Sequence, residues 1–271
     1  MDIDSLKLVY FSPTGTTGKI VENIAAGMKV SMIERFNFTL SGTATAEYKK
    51  TTGGLAIIGV PVYGGRMPLE AINRLKRFQA NDVPAVVVVV YGNREYEDAL
   101  LELKNLAEER GFKPVAGGAF IGEHSFSTDN MPIAKGRPDE MDLSRAKEFG
   151  KKVSILLSEI DSVSSFSPLK LPGIYPYKER VNPLSNITPF IDETLCTKCE
   201  VCIPVCPTGS IAMHDTLRIN PNTCIQCSAC TKGCPSKALY FNDPISKRIA
   251  GRLYSTCSKR KESETYMGSK V

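Results

Sequence analysis

Two cysteine runs decide the fold of the C-terminal third of this chain: CTKCEVCIPVCP at residues 196–207 and CIQCSACTKGCP at residues 224–235. Both have the spacing C-x2-C-x2-C-x3-C-P, and each cysteine of the first run recurs 28 residues later in the second. Each half of such a repeat is too small to bury a hydrophobic core alone. We therefore expect the two halves to fold together around bound metal, because metal binding supplies folding free energy.

The spacing indicates two [4Fe–4S] clusters, each held by four cysteine thiolates. Three cysteines separated by two residues can hold three corners of one cluster from a tight loop, whereas the fourth lies too far along the chain and reaches the other cluster. The predicted ligands of one cluster are Cys196, Cys199, Cys202 and Cys234. Those of the second cluster are Cys206, Cys224, Cys227 and Cys230.

Other uses of these cysteines fit the pattern less well. A structural zinc site often uses two C-x2-C pairs and gives no reason for a third cysteine and a trailing proline. Disulfides are rare in a reducing cytoplasm, where we expect this protein. A [3Fe–4S] cluster, or a catalytic cluster with an open iron, would lack one ligand, and all eight positions are filled here. We therefore expect the clusters to transfer electrons only, and Cys257, outside the repeat, to be an ordinary thiol.

Upstream of the cysteines, strand-like and helix-like segments alternate. Residues 85–90 contain five consecutive valines, as in a strand buried on both faces of a parallel sheet. Apolar residues recur at helical spacing in residues 16–28 and 69–78. This alternation predicts a doubly wound α/β domain with a five-stranded parallel sheet, followed by the small α+β domain that holds the clusters.

A hydroxyl-rich loop follows the first predicted strand and opens the first predicted helix. Free backbone N–H groups and the positive end of the helix dipole meet at such a site, which attracts phosphate. A simple helix cap is the alternative, and it needs only one hydroxyl. The spacing fits neither a nucleotide P-loop nor the G-x-G-x-x-G fingerprint. The candidate phosphate-binding residues are Ser12, Thr14, Gly15, Thr16 and Thr17.

With hydroxyls in place of glycines, this loop resembles that of the flavodoxins, which reads T/S-x-T-G-N/T-T and holds the phosphate of FMN. Thr16 stands where asparagine is common in that family, and Gly18 where many members have glutamate. The resemblance spans residues 6–160 and implies FMN as the cofactor.

The same resemblance implies that two further loops hold the flavin ring, because both follow the carboxyl ends of inner strands. In flavodoxins an aromatic residue of the second loop commonly stacks on the ring, and Tyr96 occupies the matching position; Tyr63 or Tyr91 is the candidate for the other wall. We expect Arg66 either to offset charge on the flavin or to be solvated. We expect His124 either to approach the cofactor or to be structural or exposed. The candidate residues of these loops are Pro61, Val62, Tyr63, Gly64, Gly65, Tyr91, Gly92, Asn93 and Tyr96.

Four segments are predicted: a flavodoxin-like FMN-binding domain at 1–160, a proline-rich linker at 161–189, a two-cluster ferredoxin domain at 190–245 and a basic tail at 246–271. The tail carries seven basic and two acidic residues, which accounts for the net charge of +5, and we expect it to be solvated.

An acidic N-terminus and short apolar runs predict no signal peptide and no membrane span, and hence a cytoplasmic protein. No nucleic-acid-binding module is recognised.

Residues 190–243 resemble a bacterial two-cluster ferredoxin, and the whole chain resembles the flavodoxin–ferredoxin fusion proteins of anaerobic bacteria and archaea. This resemblance implies an electron-transfer protein that relays electrons between FMN, the two clusters and external redox partner proteins in anaerobic metabolism. The alternative is an FMN-dependent reductase of a quinone, a nitro compound or a metal ion, with His124, Tyr63 and Arg94 as candidate proton donors. The sequence leaves open whether FMN and the clusters lie close within one chain or only across a homodimer.

Overall fold

The computed structural model describes residues 1–40, 42, 52–180 and 186–270. The first part alternates strands and helices: β1 (Ser5–Tyr10), α1 (Thr16–Met28), β2 (Met32–Asn37), β3 (Leu55–Pro61), α2 (Leu69–Leu75), β4 (Val83–Tyr91), α3 (Ala99–Glu109), β5 (Phe112–Ile121) and α4 (Glu140–Ser158). A 3₁₀ turn follows at Val163–Ser165. The cysteine-rich part contains β6 (Phe190–Ile191), β7 (Ile211–Met213), β8 (Leu217–Ile219), α5 (Ala229–Gly233) and β9 (Leu239–Tyr240). The chain then continues through α6 (Pro244–Cys257) to β10 (Glu264–Met267).

Five parallel strands form the central sheet in the order β2-β1-β3-β4-β5. This is the order of flavodoxin-like folds, in which a ligand binds where the strand order reverses, at the carboxyl ends of β1 and β3. The predicted doubly wound α/β fold with five parallel strands is confirmed.

Helices cover both faces of this sheet, and the two central strands are therefore fully buried. Every residue of β3 and β4 is buried, including the predicted run of valines. Helices α2 and α3 pack against one apolar layer, and α1 and α4 pack against the other. Helices α1 and α4 also approach each other closely, because a Cβ added to Gly27 would lie 1.9 Å from the Lys147 carbonyl oxygen. No helix in the described part of the chain combines the length and apolar character that crossing a bilayer requires.

The C-terminal segment is not the solvated tail that its charge predicts. Asp243 caps α6 by accepting a hydrogen bond from the Ser246 N–H (2.8 Å), and β10 joins the sheet as a sixth strand, antiparallel to β5. The physical reason is the edge of β5, whose backbone N–H and C=O groups need partners that β10 supplies. The basic residues find partners too, since Arg260 pairs with Asp139 (2.6 Å).

The proline-rich segment up to residue 180 lies against the first domain. Leu169 is buried in one of its apolar layers. The Asp98 carboxylate accepts hydrogen bonds from the backbone N–H groups of Ile174 (2.9 Å) and Lys178 (2.8 Å). Residues 181–185 of the predicted linker, which include Pro183, lie outside the described residues.

Candidate functional site

The eight cysteines of the repeat surround two separate cavities. The first cavity is lined by a group that we call the inner set: Cys206, Cys224, Cys227 and Cys230. The second cavity is lined by the outer set: Cys196, Cys199, Cys202 and Cys234. In each set the fourth cysteine of one run joins three cysteines of the other run. The structure thus brings the thiols together in the two groups named from their spacing.

The two cysteine loops repeat their backbone conformation as well as their sequence. Lys198 and Glu200 have positive φ angles of 55° and 58°, and the equivalent residues of the second run, Gln226 and Ser228, have φ angles of 54° and 64°. When left-handed residues alternate with others, successive N–H groups point to one side and form a concavity that binds anions, as at many iron–sulfur sites. The loops therefore fit a cluster together with its thiolates.

Hydrogen bonds reach the sulfur atoms of both sets. The Ser210 N–H donates to Cys206 Sγ (3.3 Å), and the Thr208 hydroxyl lies 3.6 Å from the same sulfur. The Ser236 hydroxyl lies 3.6 Å from Cys234 Sγ. Hydrogen bonds to cluster sulfurs help to set the reduction potential.

Burial governs the protonation of these thiols. Desolvation raises the pKa of Cys227 to about 12 and also raises the pKa of Cys230. Burial acts in the same direction on Cys234, but hydrogen bonds from the Ser236 hydroxyl and from backbone N–H groups outweigh it and lower the pKa of that thiol. Because metal ligation requires thiolates, cluster assembly must displace protons from the inner set.

The two sets meet in a small apolar core. Cys202 of the outer set and Cys230 of the inner set are buried in the same cluster, together with Ile211, Leu217 and Leu239. The two cavities are therefore neighbours, separated by side chains of one shared core.

The hydroxyl-rich loop lies between the end of β1 and the start of α1. Gly15 has a φ of 80°, and Ser12 holds the turn because its Oγ accepts a hydrogen bond from the Gly18 N–H (2.9 Å). The hydroxyls of Thr14 and Thr16 lie 3.3 Å apart. Thr17 Oγ1 is buried, and it has no hydrogen-bond partner in the described part of the chain. A buried hydroxyl without a partner at a helix N-terminus fits a bound phosphate, which would accept its hydrogen bond.

A large cleft of about 400 Å³ opens from this loop across the carboxyl ends of the central strands. Three of its threonines come from the phosphate loop, Thr14, Thr16 and Thr17. Six residues come from the two predicted ring loops: Pro61, Val62, Tyr63, Gly64, Tyr91 and Gly92. Ser12 and Gly15 shape the loop behind this surface. The cleft lies where flavodoxin-like folds bind their ligand.

Three predicted ring-loop residues do not line the cleft. The Tyr96 hydroxyl lies 2.8 Å from both Glu264 Oε2 and the Tyr266 hydroxyl, beneath β10. Asn93 Nδ2 donates to two carbonyl oxygens of the C-terminal segment. Gly65 lies against Glu97, whose carboxylate would be 2.0 Å from an added Cβ. Tyr96 and Asn93 thus face the C-terminal segment and Gly65 faces the Glu97 side chain, and a role of these three residues in flavin binding stays a prediction.

Arg66 is neither solvated nor directed at the cleft. Its guanidinium makes two hydrogen bonds to the buried Glu102 carboxylate, at 2.9 and 2.7 Å. It also lies over the Tyr177 ring, 4.6 Å from the centroid. Both expectations for this residue were therefore wrong.

His124 lines the cleft, which agrees with the first of the two alternatives for this residue. Its Nδ1 accepts a hydrogen bond from the Phe126 N–H (3.0 Å), so a neutral ring carries its proton on Nε2. Desolvation, reinforced by the charges of Arg94 and Lys232, lowers the pKa of His124 to about 4. The ring packs against Gly92, where an added Cβ would lie 2.4 Å from His124 Cδ2.

Another part of the cleft wall comes from the C-terminal half of the chain. Ile225, Gln226 and Cys227 line it from the second cysteine loop, and Ile249 and Leu253 line it from α6. Those two α6 residues are four positions apart, which is a helical spacing that could have identified this helix within the basic segment. The same three loop residues also line the inner cavity. One stretch of three residues therefore forms a common wall between the cleft and the inner set.

Comparisons with known proteins agree with the division into two parts. Residues 195–238 match the family described as a 4Fe-4S dicluster domain. No curated protein matches the chain.

Several solved structures resemble the N-terminal part. A flavodoxin from the domain Archaea is 15% identical over 57% of this chain and 99% of its own, with a TM-score of 0.36. Flavodoxin 2 from Bacillus cereus is 16% identical over 57% of this chain and 99% of its own, with a TM-score of 0.41. A WrbA-like flavodoxin from Agrobacterium tumefaciens is 15% identical over 58% of this chain and 99% of its own, with a TM-score of 0.38. The strand order shows a flavodoxin-like fold for the N-terminal part. The family match shows a 4Fe-4S dicluster domain at residues 195–238, which implies [4Fe–4S] clusters.

Proposed function

We propose that this protein is an electron carrier that relays electrons between FMN, two [4Fe–4S] clusters and external redox partner proteins, with all its redox centres in one chain. The observation that carries the proposal is the wall formed by Ile225, Gln226 and Cys227, which faces the cleft on one side and the inner cavity on the other. Because electron-transfer rates fall steeply with distance, a shared wall favours transfer within the chain over transfer across a dimer.

The residues that would hold each cofactor follow from the geometry. Thr14, Thr16 and Thr17 would bind the FMN phosphate, and Tyr63 and Tyr91 would flank the ring. The inner and outer sets would each supply four thiolates to one cluster. When bound, FMN exchanges two electrons and each cluster exchanges one, so the protein can connect one-electron and two-electron partners.

The proposed division of the chain differs from the predicted one at its C-terminal end. We assign residues 1–160 to the flavin domain and residues 190–245 to the cluster domain. Residues 246–271 we assign to a segment that ties the two together, because α6 covers the cleft and β10 extends the sheet. Free thiols and iron–sulfur ligands suit the reducing cytoplasm of an anaerobic cell, where we propose that the protein works.

A second candidate function is the reduction of a small acceptor, such as a quinone, a nitro compound or a metal ion, at the flavin. The observation that favours it is His124, whose Nε2–H belongs to a ring that lines the cleft. Against it, α6 and the second cysteine loop both cover the cleft, which restricts access to the flavin.

Anaerobic reconstitution followed by analysis of iron, sulfide and flavin tests the proposal. We expect about eight irons and one FMN per chain, from two four-iron clusters and one flavin site. Zinc in place of iron, or a single iron–sulfur centre, would contradict it. Turnover assays with quinone, nitro and metal-ion acceptors then separate the two functions. A turnover rate that saturates with one acceptor favours the reductase. Weak reduction of all acceptors alike favours the carrier.

A further inference from the structure

We infer that electrons enter and leave the protein at the outer cysteine set, on the surface around Cys199, and that the partner there is a one-electron redox protein. This inference rests on the proposed function and adds to it an order for the relay and a place for the partner. In this order the inner set is next to the flavin and the outer set is next to the partner.

The first step of the argument is the position of the inner set. The inner cavity shares Ile225, Gln226 and Cys227 with the flavin cleft. Among the described residues, none that lines the outer cavity also lines the cleft. The inner set therefore lies between the cleft and the outer set, and Cys230 and Cys202 join the two sets through their shared apolar core.

The second step is exposure. Cys199 is the one exposed thiol among the eight, whereas Cys227 and Cys230 are buried. Val201, in the same loop as Cys199, is 42% exposed. An external redox centre can therefore approach the outer cluster through one ligand, whereas protein covers the buried ligands of the inner cluster.

The third step is the cover over the flavin cleft. Ile249 and Leu253 of α6 and the loop at Ile225 and Gln226 form part of its wall. A second protein that approached the flavin from this side would have to displace these elements. The surface around Cys199 requires no such movement.

The composition of this surface indicates the kind of partner. Lys198 and Glu200, both exposed, cancel in charge, and Leu195 and Val201 are 48% and 42% exposed. A small, nearly neutral patch with apolar side chains suits a brief encounter, since weak redox complexes have small interfaces. Each encounter moves one electron between the outer cluster and the partner, with no bond formed or broken. Two encounters are needed to discharge the two electrons of a reduced flavin.

Three matched substitutions test the inference, each placing one positive charge on an exposed apolar position. Val201→Lys adds the charge beside the outer set. Ile245→Lys adds it on α6, one helical turn before Ile249, which lines the cleft, at a position that is likewise 42% exposed. Ile155→Lys adds it on α4, away from both sites, at a position that is 60% exposed. The probe is oxidised mitochondrial cytochrome c, a cationic one-electron acceptor that each reduced variant meets in a stopped-flow experiment.

We expect Val201→Lys to lower the second-order rate constant about threefold to tenfold at low ionic strength, because the added charge repels the probe at its point of contact. The effect should shrink at about 0.15 M salt, where screening is strong. Ile245→Lys and Ile155→Lys should change the rate less than about twofold. A larger effect of Ile245→Lys than of Val201→Lys would place the exit over the cleft and overturn the inference.

Two further readouts keep the result interpretable. Iron content, FMN content and the cluster EPR spectra should match the wild-type protein in all three variants. If Val201→Lys loads its clusters poorly, Glu200→Gln makes the same change of one positive charge on the same loop. If flavin and clusters exchange electrons within the chain while neither loop variant slows the probe, the exit site is wrong and the proposed function stands. If the wild-type protein itself shows no electron exchange between flavin and clusters, the proposed function is contradicted instead.

Discussion

Tyr63 and Cys227 line the same cleft, and Cys227 also lines the inner cavity. Burial, followed by the neighbouring charge of Cys227, raises the pKa of the Tyr63 hydroxyl well above its ordinary value. A ring that would flank the flavin thus shares the cleft with a proposed cluster ligand.

The first prediction concerns Tyr63. Tyr63→Ala should weaken FMN binding about tenfold, because it removes a large apolar ring from the cleft. Tyr63→Phe keeps the ring and should bind FMN within about twofold of the wild-type protein. Quenching of flavin fluorescence on titration into the apoprotein measures both affinities. Equal affinities for the alanine and phenylalanine variants would exclude this ring from the flavin site.

The second prediction concerns the buried hydroxyl of Thr17. Thr17→Val removes a buried polar group that has no hydrogen-bond partner among the described residues, so the flavin-free protein should become more stable by about 1 kcal/mol. FMN should bind about tenfold more weakly, because its phosphate loses a hydrogen bond. Anaerobic urea denaturation and fluorescence titration measure the two effects. The conservative change Thr17→Ser should restore FMN binding, and a valine variant that binds FMN normally would refute the phosphate role.

The third prediction is a pH dependence set by His124. Its pKa in the folded protein is lowered to about 4, mainly by desolvation, whereas an unfolded histidine has a pKa of about 6.5. Between these values the unfolded chain binds more protons than the folded chain, so stability is present above about pH 6.5 and is lost as the pH falls toward 4. The loss should approach about 3 kcal/mol in the flavin-free protein. Urea denaturation at several pH values between 5 and 7 measures it, and His124→Gln should flatten the profile.

The fourth prediction concerns Asn93, which ties the C-terminal segment to the flavin domain. Its amide group donates to the carbonyl oxygens of Cys257 (2.6 Å) and Lys259 (2.8 Å) and accepts from the Lys261 N–H (3.2 Å). Asn93→Ala should therefore lower the free energy of unfolding by about 2–3 kcal/mol. Bound FMN should also become more accessible to iodide, because α6 covers the cleft less firmly.

Asn23→Ala is the matched control for that experiment. Asn23 lies on the exposed side of α1 and makes one hydrogen bond, to the Lys19 carbonyl oxygen. Its replacement should change stability by less than about 0.5 kcal/mol. Similar losses in both variants would mean that the bonds from Asn93 do not hold the segment in place.

The sequence predicts those features that depend on local spacing. The positions of the eight cysteines were enough to name the two groups that surround the two cavities. The run of valines was enough to identify β4, because a strand buried on both faces needs continuous apolar residues. Nearby hydroxyls in one loop were enough to locate the start of α1.

Features that depend on contacts between residues far apart in the sequence could not be predicted. Strand β10 is short, and its recruitment depends on the free edge of β5, far away in the sequence. Without β10, nothing indicates that Tyr96 and Asn93 face the C-terminal segment rather than the cleft. The same applies to His124, whose place in the cleft depends on close packing against Gly92. These residues could not be assigned from spacing, because their partners lie in other parts of the chain.

The most direct test of the account is the rate of electron exchange between flavin and clusters after flash reduction of the loaded protein, measured over a wide range of protein concentration. Transfer through the wall of Ile225, Gln226 and Cys227 predicts a first-order rate that does not change on dilution. A rate that rises in proportion to protein concentration would contradict it, because electrons would then pass between molecules rather than within the chain.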